Sequence, residues 1–164
     1  MTLRAAVVYP PSELALCKAK KGGTYPGSLQ SVNNSSEQTA TLDAYDFTRQ
    51  TSVAWPAVSS TITPPLLGVW LISAYCLFYS VNSSADTTGG RQLTIKRAVT
   101  NAILAKDSKP AFGPINVATA CGCQMALDMS FAAGGTYGVF LTAYQTSGVA
   151  LLIEPYLTLQ YLGP

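Results

Sequence analysis

From about Leu42 onward the chain alternates short apolar runs with clusters of turn residues, the rhythm of an antiparallel all-β domain. The runs Ser52 to Ala57, Gly68 to Val81, Gln92 to Arg97, Ala102 to Ala105, Gln124 to Phe131, Gly138 to Tyr144 and Tyr156 to Leu162 read as strands. Between them lie Asn82 to Gly90, Lys109-Pro110, Gly113-Pro114, Gly134-Gly135 and Thr146 to Gly148. These are turn compositions, since glycine reaches positive φ without a clash and Asn, Asp and Ser hydrogen-bond their own backbone. A helical period is hinted at only near Arg97 to Lys106. The pattern predicts an antiparallel β-sandwich over residues 42–164.

The two faces of these strands differ in what they ask for. In Gly68 to Tyr79 one face carries Trp70, Ile72, Ala74, Cys76 and Phe78 and reads as core. The other carries Val69, Leu71, Ser73, Tyr75, Leu77 and Tyr79, which a monomer would expose to water. The last run repeats this, with Leu157, Leu159 and Tyr161 on one side and Tyr156, Thr158, Gln160 and Leu162 on the other. By contrast Met125, Leu127, Met129 and Phe131 alternate with Gln124, Ala126, Asp128 and Ser130, a sheet with one wet face. Covering six side chains of the two-faced strand at ~1.5–3 kcal/mol each amounts to about 10 kcal/mol, comparable to the stability of a domain. Self-association follows as the expectation.

Residues 1–41 break this rhythm. Pro10-Pro11, Gly22-Gly23, Pro26-Gly27 and the polar stretch Ser31 to Gln38 punctuate them every few residues, so they read as an extended arm, with Ala5 to Tyr9 as a short strand at most. Val7, Val8, Tyr9, Pro10, Pro11, Leu14 and Tyr25 are the residues with which such an arm would anchor.

Composition changes the picture by exclusion. Charged residues are 11% of the 164, against about 25% in an ordinary soluble domain, and histidine is absent. The commonest general base and the commonest transition-metal ligand are thus both missing, which argues against an enzyme and against a metal or other cofactor. Ten Lys plus Arg against eight Asp plus Glu make no field for nucleic acid, and Lys18, Lys20 and Lys21 read as a solvated loop. No membrane span is expected, because the longest apolar run, Leu66 to Tyr79, is interrupted and short of the ~20 residues a bilayer requires. Nor does the apolar stretch after Arg4 reach the length of a signal segment before Pro10 stops it.

Candidate chemistry is sparse. Cys121-Gly122-Cys123 has the wrong spacing for zinc, and with Cys17 and Cys76 these read as reduced structural thiols. Asp43 and Asp46, three apart, are simpler as turn and cap formers than as an acid–base pair. Asn82, Asp86 and Thr87 lack the spacing of a calcium loop. Trp55, Trp70, Tyr75, Tyr79 and Tyr144 are the aromatic residues that a carbohydrate-binding alternative would use to stack on a sugar.

Four segments in order carry a resemblance: Gly68 to Ala74, Arg91 to Arg97, Phe131 to Val139, and Tyr156 to Gly163. Together they are similar to the tumour-necrosis-factor and complement-type globular-head jelly rolls over roughly residues 43–164. Gly134-Gly135 stands where that family has Gly-Asp, and Tyr156-Leu157-Thr158-Leu159 replaces its Phe-x-Gly-Phe, which points away from a signalling role. The resemblance implies a jelly-roll sandwich packed as a homotrimer through its inner sheet. The interface expected from it, with the two-faced strand, is Val69, Leu71, Tyr75, Leu77, Tyr79, Phe140, Tyr144, Tyr156 and Tyr161. A regular strand cannot turn both Tyr156 and Tyr161 inward. Jelly rolls with an arm of this composition resemble bacteriophage virion proteins. The expected function is a capsid decoration protein, assembled in the host cytoplasm and anchored by its arm to the major capsid protein or another virion protein. The alternative is a tail-fibre tip or a receptor-binding module that meets a host surface glycan.

Overall fold

The computed structural model describes residues 15–22, 29–49, 55, 57, 59–79, 89–111, 118–129 and 138–163. Among them are eleven strands: Leu16–Lys20 (β1), Gln30–Val32 (β2), Gln38–Thr39 (β3), Ala44–Arg49 (β4), Thr61–Ile62 (β5), Val69–Tyr79 (β6), Gly90–Arg97 (β7), Ile103–Pro110 (β8), Thr119–Asp128 (β9), Val139–Gln145 (β10) and Leu151–Gly163 (β11). They form two antiparallel sheets. The first runs β4-β1-β11-β6-β9, with β2 also on β11; the second runs β3-β10-β7-β8, with β5 also on β10. The all-β expectation holds, and Arg97 to Lys106 is a turn leading into a strand.

Alternation places the core. Trp70, Ile72, Phe78, Leu157 and Leu159 of the first sheet meet Leu93, Ile95, Leu141 and Val139 of the second, all fully buried. The face assigned to the core in β6 is the buried one, and in β9 Gln124, Ala126 and Asp128 are exposed as expected.

The boundary expected at residue 41 falls inside the sandwich. β1 lies between β4 and β11, and Ala15, Cys17, Ala19, Val32 and Ala40 belong to the core. The alternation was present in Leu16-Cys17-Lys18-Ala19-Lys20, but its inward residues are small, so their hydropathy barely marks a strand. Lys18 and Lys20 accordingly stand on a strand and not in a loop. The anchoring residues Val7, Val8, Tyr9, Pro10, Pro11, Leu14 and Tyr25 lie outside the described residues. So does most of Ser52 to Ala57, whose described members Trp55 and Ala57 are not in a strand.

Two other differences have local causes. β8 runs through Lys109-Pro110, which composition marks as a turn; Pro110 is its last residue, where a missing N–H does no harm. β11 begins at Leu151, five residues before the expected start, and contains Pro155. On the side away from β6, β2 pairs with Leu151 to Ile153 and β1 with Tyr156 to Gln160. Pro155 falls in the gap between those two partners, so it interrupts neither ladder.

Each end of the sandwich is pinned. Trp70 sits 5.6 Å from Trp55 and 5.1 Å from Tyr161 between ring centroids, its Nε1 donates to Leu66 O at 3.1 Å, and Tyr161 Oη donates to Leu67 O at 3.1 Å. At the other end Gln145 is fully buried: its Nε2 donates to Val32 O and Val149 O at 3.1 and 2.6 Å. Its Oε1 accepts from Ser147 N and Ser147 Oγ at 2.7 and 2.6 Å. That side chain replaces the ladder where β10 turns towards β11.

Candidate self-association face

The outer face of the first sheet is built by register. Opposite residues of β6 and β11 pair as Tyr79 with Leu152, Leu77 with Glu154, Tyr75 with Tyr156, Ser73 with Thr158 and Leu71 with Gln160. Val69, Leu71, Leu77 and Tyr79 are half-buried, and Tyr75 is 42% exposed. Tyr75 leans over Gly122 of β9, where a Cβ would come within 3.6 Å of its ring. The Gly122 N–H, turned away from β6, donates to Asp107 Oδ2 of β8 at 2.9 Å and ties the edges of the two sheets together.

A polar set closes this face on itself. Tyr79 Oη donates to Glu154 Oε2 at 2.7 Å, and Tyr156 Oη donates to Glu154 Oε1. Donation to that carboxylate pushes the Tyr156 hydroxyl up to about 12, with burial and the negative charges of Glu154 and Asp46 adding to it. Lys18 Nζ lies 4.6 Å from the centroid of the Tyr156 ring, a cation–π contact. Asp46 takes Lys20 at 2.7 Å and Lys18 at 3.1 Å, and those two hydrogen bonds hold its carboxyl below the usual range. Before anything covers them, Asp46 is thus ion-paired with two lysines and Glu154 is hydrogen-bonded by two tyrosine hydroxyls. Hydrogen bonds already made to both carboxylates lower the cost of taking this face out of water.

Of the nine residues expected at an interface, six share this face: Val69, Leu71, Tyr75, Leu77, Tyr79 and Tyr156. Tyr161 does not; it is 5% exposed and packed on Trp70 in the core, as strand parity from Tyr156 requires. Phe140 and Tyr144 belong to β10 and lie on the second sheet, because Val139, Leu141 and Ala143 between them face the core. Glu154, Lys18, Lys20, Asp46 and Gly122 complete the face and were not assigned to it from the sequence. The period-2 placing of Lys18 and Lys20 was the available signal.

The remaining candidate chemistry resolves into structure. Asp43 accepts from Gly22 N–H and lies 3.5 Å from Lys21 Nζ, a turn-forming role. Trp70 is fully buried and offers no face to a sugar. All four cysteines are unbridged, and burial pushes Cys17 up to about 12 and Cys121 up to about 11. Among the described residues no group of three or more Cys, Asp or Glu is placed to hold a metal ion, and no helix is long and apolar enough to cross a membrane. Asn82, Asp86 and Thr87 lie outside the described residues.

No protein-family model and no curated protein matches the sequence. Solved structures do match. The globular domain of the zebrafish complement 1qA protein superposes with a TM-score of 0.56 at 9% identity, over 91% of this chain and 98% of that one. Murine APRIL superposes at 0.54 with 10% identity, over 92% and 100%. Eiger TNF from S. frugiperda superposes at 0.54 with 14% identity, over 92% and 94%. The fold is that of the tumour-necrosis-factor and complement-type globular domains.

Proposed function

We propose that this chain is a non-enzymatic domain that works as a homotrimer, built through the outer face of the first sheet, and acts by display or binding. The observation that carries the reading is the row Val69, Leu71, Tyr75, Leu77 and Tyr79 on a central strand, facing away from the core. Tyr75 and its neighbours are too apolar for a face left in water, and the two carboxylates beside them already have hydrogen-bond partners, Asp46 in Lys18 and Lys20 and Glu154 in Tyr79 and Tyr156. The fold supports the reading as well. Light scattering on the whole protein tests it: a mass three times 17.3 kDa is expected, and a mass of 17.3 kDa across the micromolar range overturns it.

Within that reading the protein is a bacteriophage virion component that decorates the capsid, attached through the segment before Ala15. Support comes from the jelly-roll fold and from four unbridged cysteines, which suit assembly in a reducing cytoplasm. Labelling this chain on assembled particles is the test. Finding it on the head bears the role out, and finding it at the tail or nowhere on a particle overturns it.

A further inference from the structure

The outer face of the second sheet, away from the self-association face, carries a groove of about 380 Å³. Tyr144 of β10, Gln92 of β7 and Ser108 of β8 stand in one row along it, since Gln92 pairs with Tyr144 on one side and with Ser108 on the other. In the next row Gly90 pairs with Pro110, and the missing side chain of Gly90 leaves the space. A Cβ built on Gly90 meets only Thr146 Oγ1, at 3.6 Å. The backbone beneath is held in place: Gly90 N–H donates to Thr146 Oγ1 at 2.8 Å and Thr146 N–H donates to Gly90 O at 3.1 Å.

Among the described residues no charged side chain faces this groove. Arg91 and Lys109 alternate with Gln92 and Ser108, so their side chains project from the opposite face of β7 and β8, where Lys109 Nζ lies 3.3 Å from Asp107 Oδ2. Lys106, which does share the outward face, stands a row away opposite Thr94 and does not line the groove. What faces it is neutral and unsatisfied. Of the described tyrosines, Tyr144 is the one with neither a ring contact nor a hydrogen bond, although it is half-buried. Gln92 Nε2 donates to Thr94 Oγ1 at 3.3 Å, and its Oε1 accepts from Ser108 Oγ at 3.5 Å. These two contacts are long; they orient the amide and leave its second N–H and a lone pair of Oε1 for a ligand.

We propose that this groove binds a neutral hexopyranose. An ion entering it would give up hydration with no countercharge to replace it, so the lining favours an uncharged ligand. Of what remains, a purely apolar guest would strip water from the Tyr144 hydroxyl, the Gln92 amide and Ser108 Oγ without replacing its hydrogen bonds. A guest polar on every side would leave the Tyr144 ring and Pro110 uncovered. A pyranose answers both demands: its C–H face covers the flat Tyr144 ring, and its edge carries hydroxyls that donate and accept, as all three protein groups do. With neighbouring strands about 4.8 Å apart, a ring lying on Tyr144 brings that edge over Gln92 and towards Ser108. The volume lies within the range of small-molecule sites.

The test is an NMR titration of the whole protein with methyl glucoside and, in parallel, with cyclohexanol and methyl glucuronide. The glucoside is expected to move the amide signals of Gly90, Gln92 and Ser108 with a Kd on the order of 1 mM, as befits a ligand of its size. Cyclohexanol, which keeps an apolar ring but one hydroxyl, and the charged glucuronide should each bind about fivefold weaker or less. Gly90→Leu fills the groove, at a φ outside the left-handed region, and Tyr144→Ala removes its wall; each should weaken the glucoside about tenfold. Lys109→Gln, on the other face, should leave its affinity unchanged. No binding of the glucoside, equal binding of cyclohexanol or the glucuronide, affinity unchanged in both Gly90→Leu and Tyr144→Ala, or a loss in Lys109→Gln equal to theirs overturns the proposal. Mass by light scattering is expected to stay that of the parent in all three variants, so failure here is distinct from failure of the trimer reading.

Discussion

Tyr75 and Tyr156 stand opposite each other in the β6–β11 pair, their ring centroids 6.4 Å apart, and both rings project away from the core. Their neighbours Leu71 and Leu77 complete an apolar surface that no other described strand of the chain covers. Leu71→Asp places an unpaired carboxylate in that surface, at a cost of several kcal/mol once covered. The variant is expected to fall to monomer mass with an unchanged far-ultraviolet dichroism spectrum; a variant that keeps the parent's mass would show that Leu71 lies outside the contact.

Tyr156 gives the face an alkaline limit. Its hydroxyl gives up its proton near pH 10 in the unfolded chain and only at about 12 in the folded one, because it donates to Glu154. The stabilisation is thus complete below pH 10 and is lost as pH rises through 12. Tyr45, pushed up to about 12 mainly by burial, behaves alike. Absorbance at 295 nm should show late-titrating tyrosine, reduced by one residue in Tyr156→Phe; titration of every tyrosine near 10 would contradict this.

Gln145 is the polar group on which one end of the sandwich depends. Gln145→Leu leaves Val32 O, Val149 O and the Ser147 N–H and hydroxyl without its amide, a loss of about 3 kcal/mol. Urea unfolding should show the midpoint shifted down at constant slope. A shift under about 1 kcal/mol would mean that water replaces the amide there.

Gly89 and Gly148 both have positive φ, at 78° and 90°, but different surroundings. A Cβ on Gly89 would lie 2.0 Å from Thr146 O, whereas nothing stands within 4 Å of one on Gly148. Gly148→Ala is expected to cost about 1–2 kcal/mol from conformation alone. Gly89→Ala adds a backbone clash and should cost on the order of 4 kcal/mol. Equal melting temperatures for the two variants would refute the distinction.

Cys76 and Cys121 face each other across β6 and β9 in the core, and burial holds both thiols in the protonated form. Because the thiolate is the nucleophile, a disulfide reagent at pH 8 should leave them unmodified in the folded protein and reach all four cysteines in denaturant. Rapid modification of Cys76 without denaturant would be the contrary result.

What could be read from the residues followed side-chain size. β6 and β9 announce themselves through large residues at every second place, and with them the core and the five outward residues Val69, Leu71, Tyr75, Leu77 and Tyr79 of β6. β1 keeps the same period with Cys17 and Ala19 as its inward residues, too small to register, so it passed for part of an arm. Tyr161 looked like Tyr156 until parity separated them, and Phe140 and Tyr144 looked like partners of Tyr75 because alternation within a strand says nothing of which sheet the strand joins. The Glu154 cluster depends on register between strands distant in sequence, which no local pattern contains.

The pairing of Lys18 with Thr158 carries a temporal consequence. A ribosome making this chain exposes β1 about 140 residues before the strand that must sit beside it. At ~5–20 residues per second, that strand waits on the order of 10 s with one flank unmet. Only β4 is near enough in sequence to shelter it meanwhile, through the pairing of Lys18 with Phe47 and the Asp46 bridge. The first sheet therefore closes only once β11 has emerged, and its outward face comes into being at the same moment as its core.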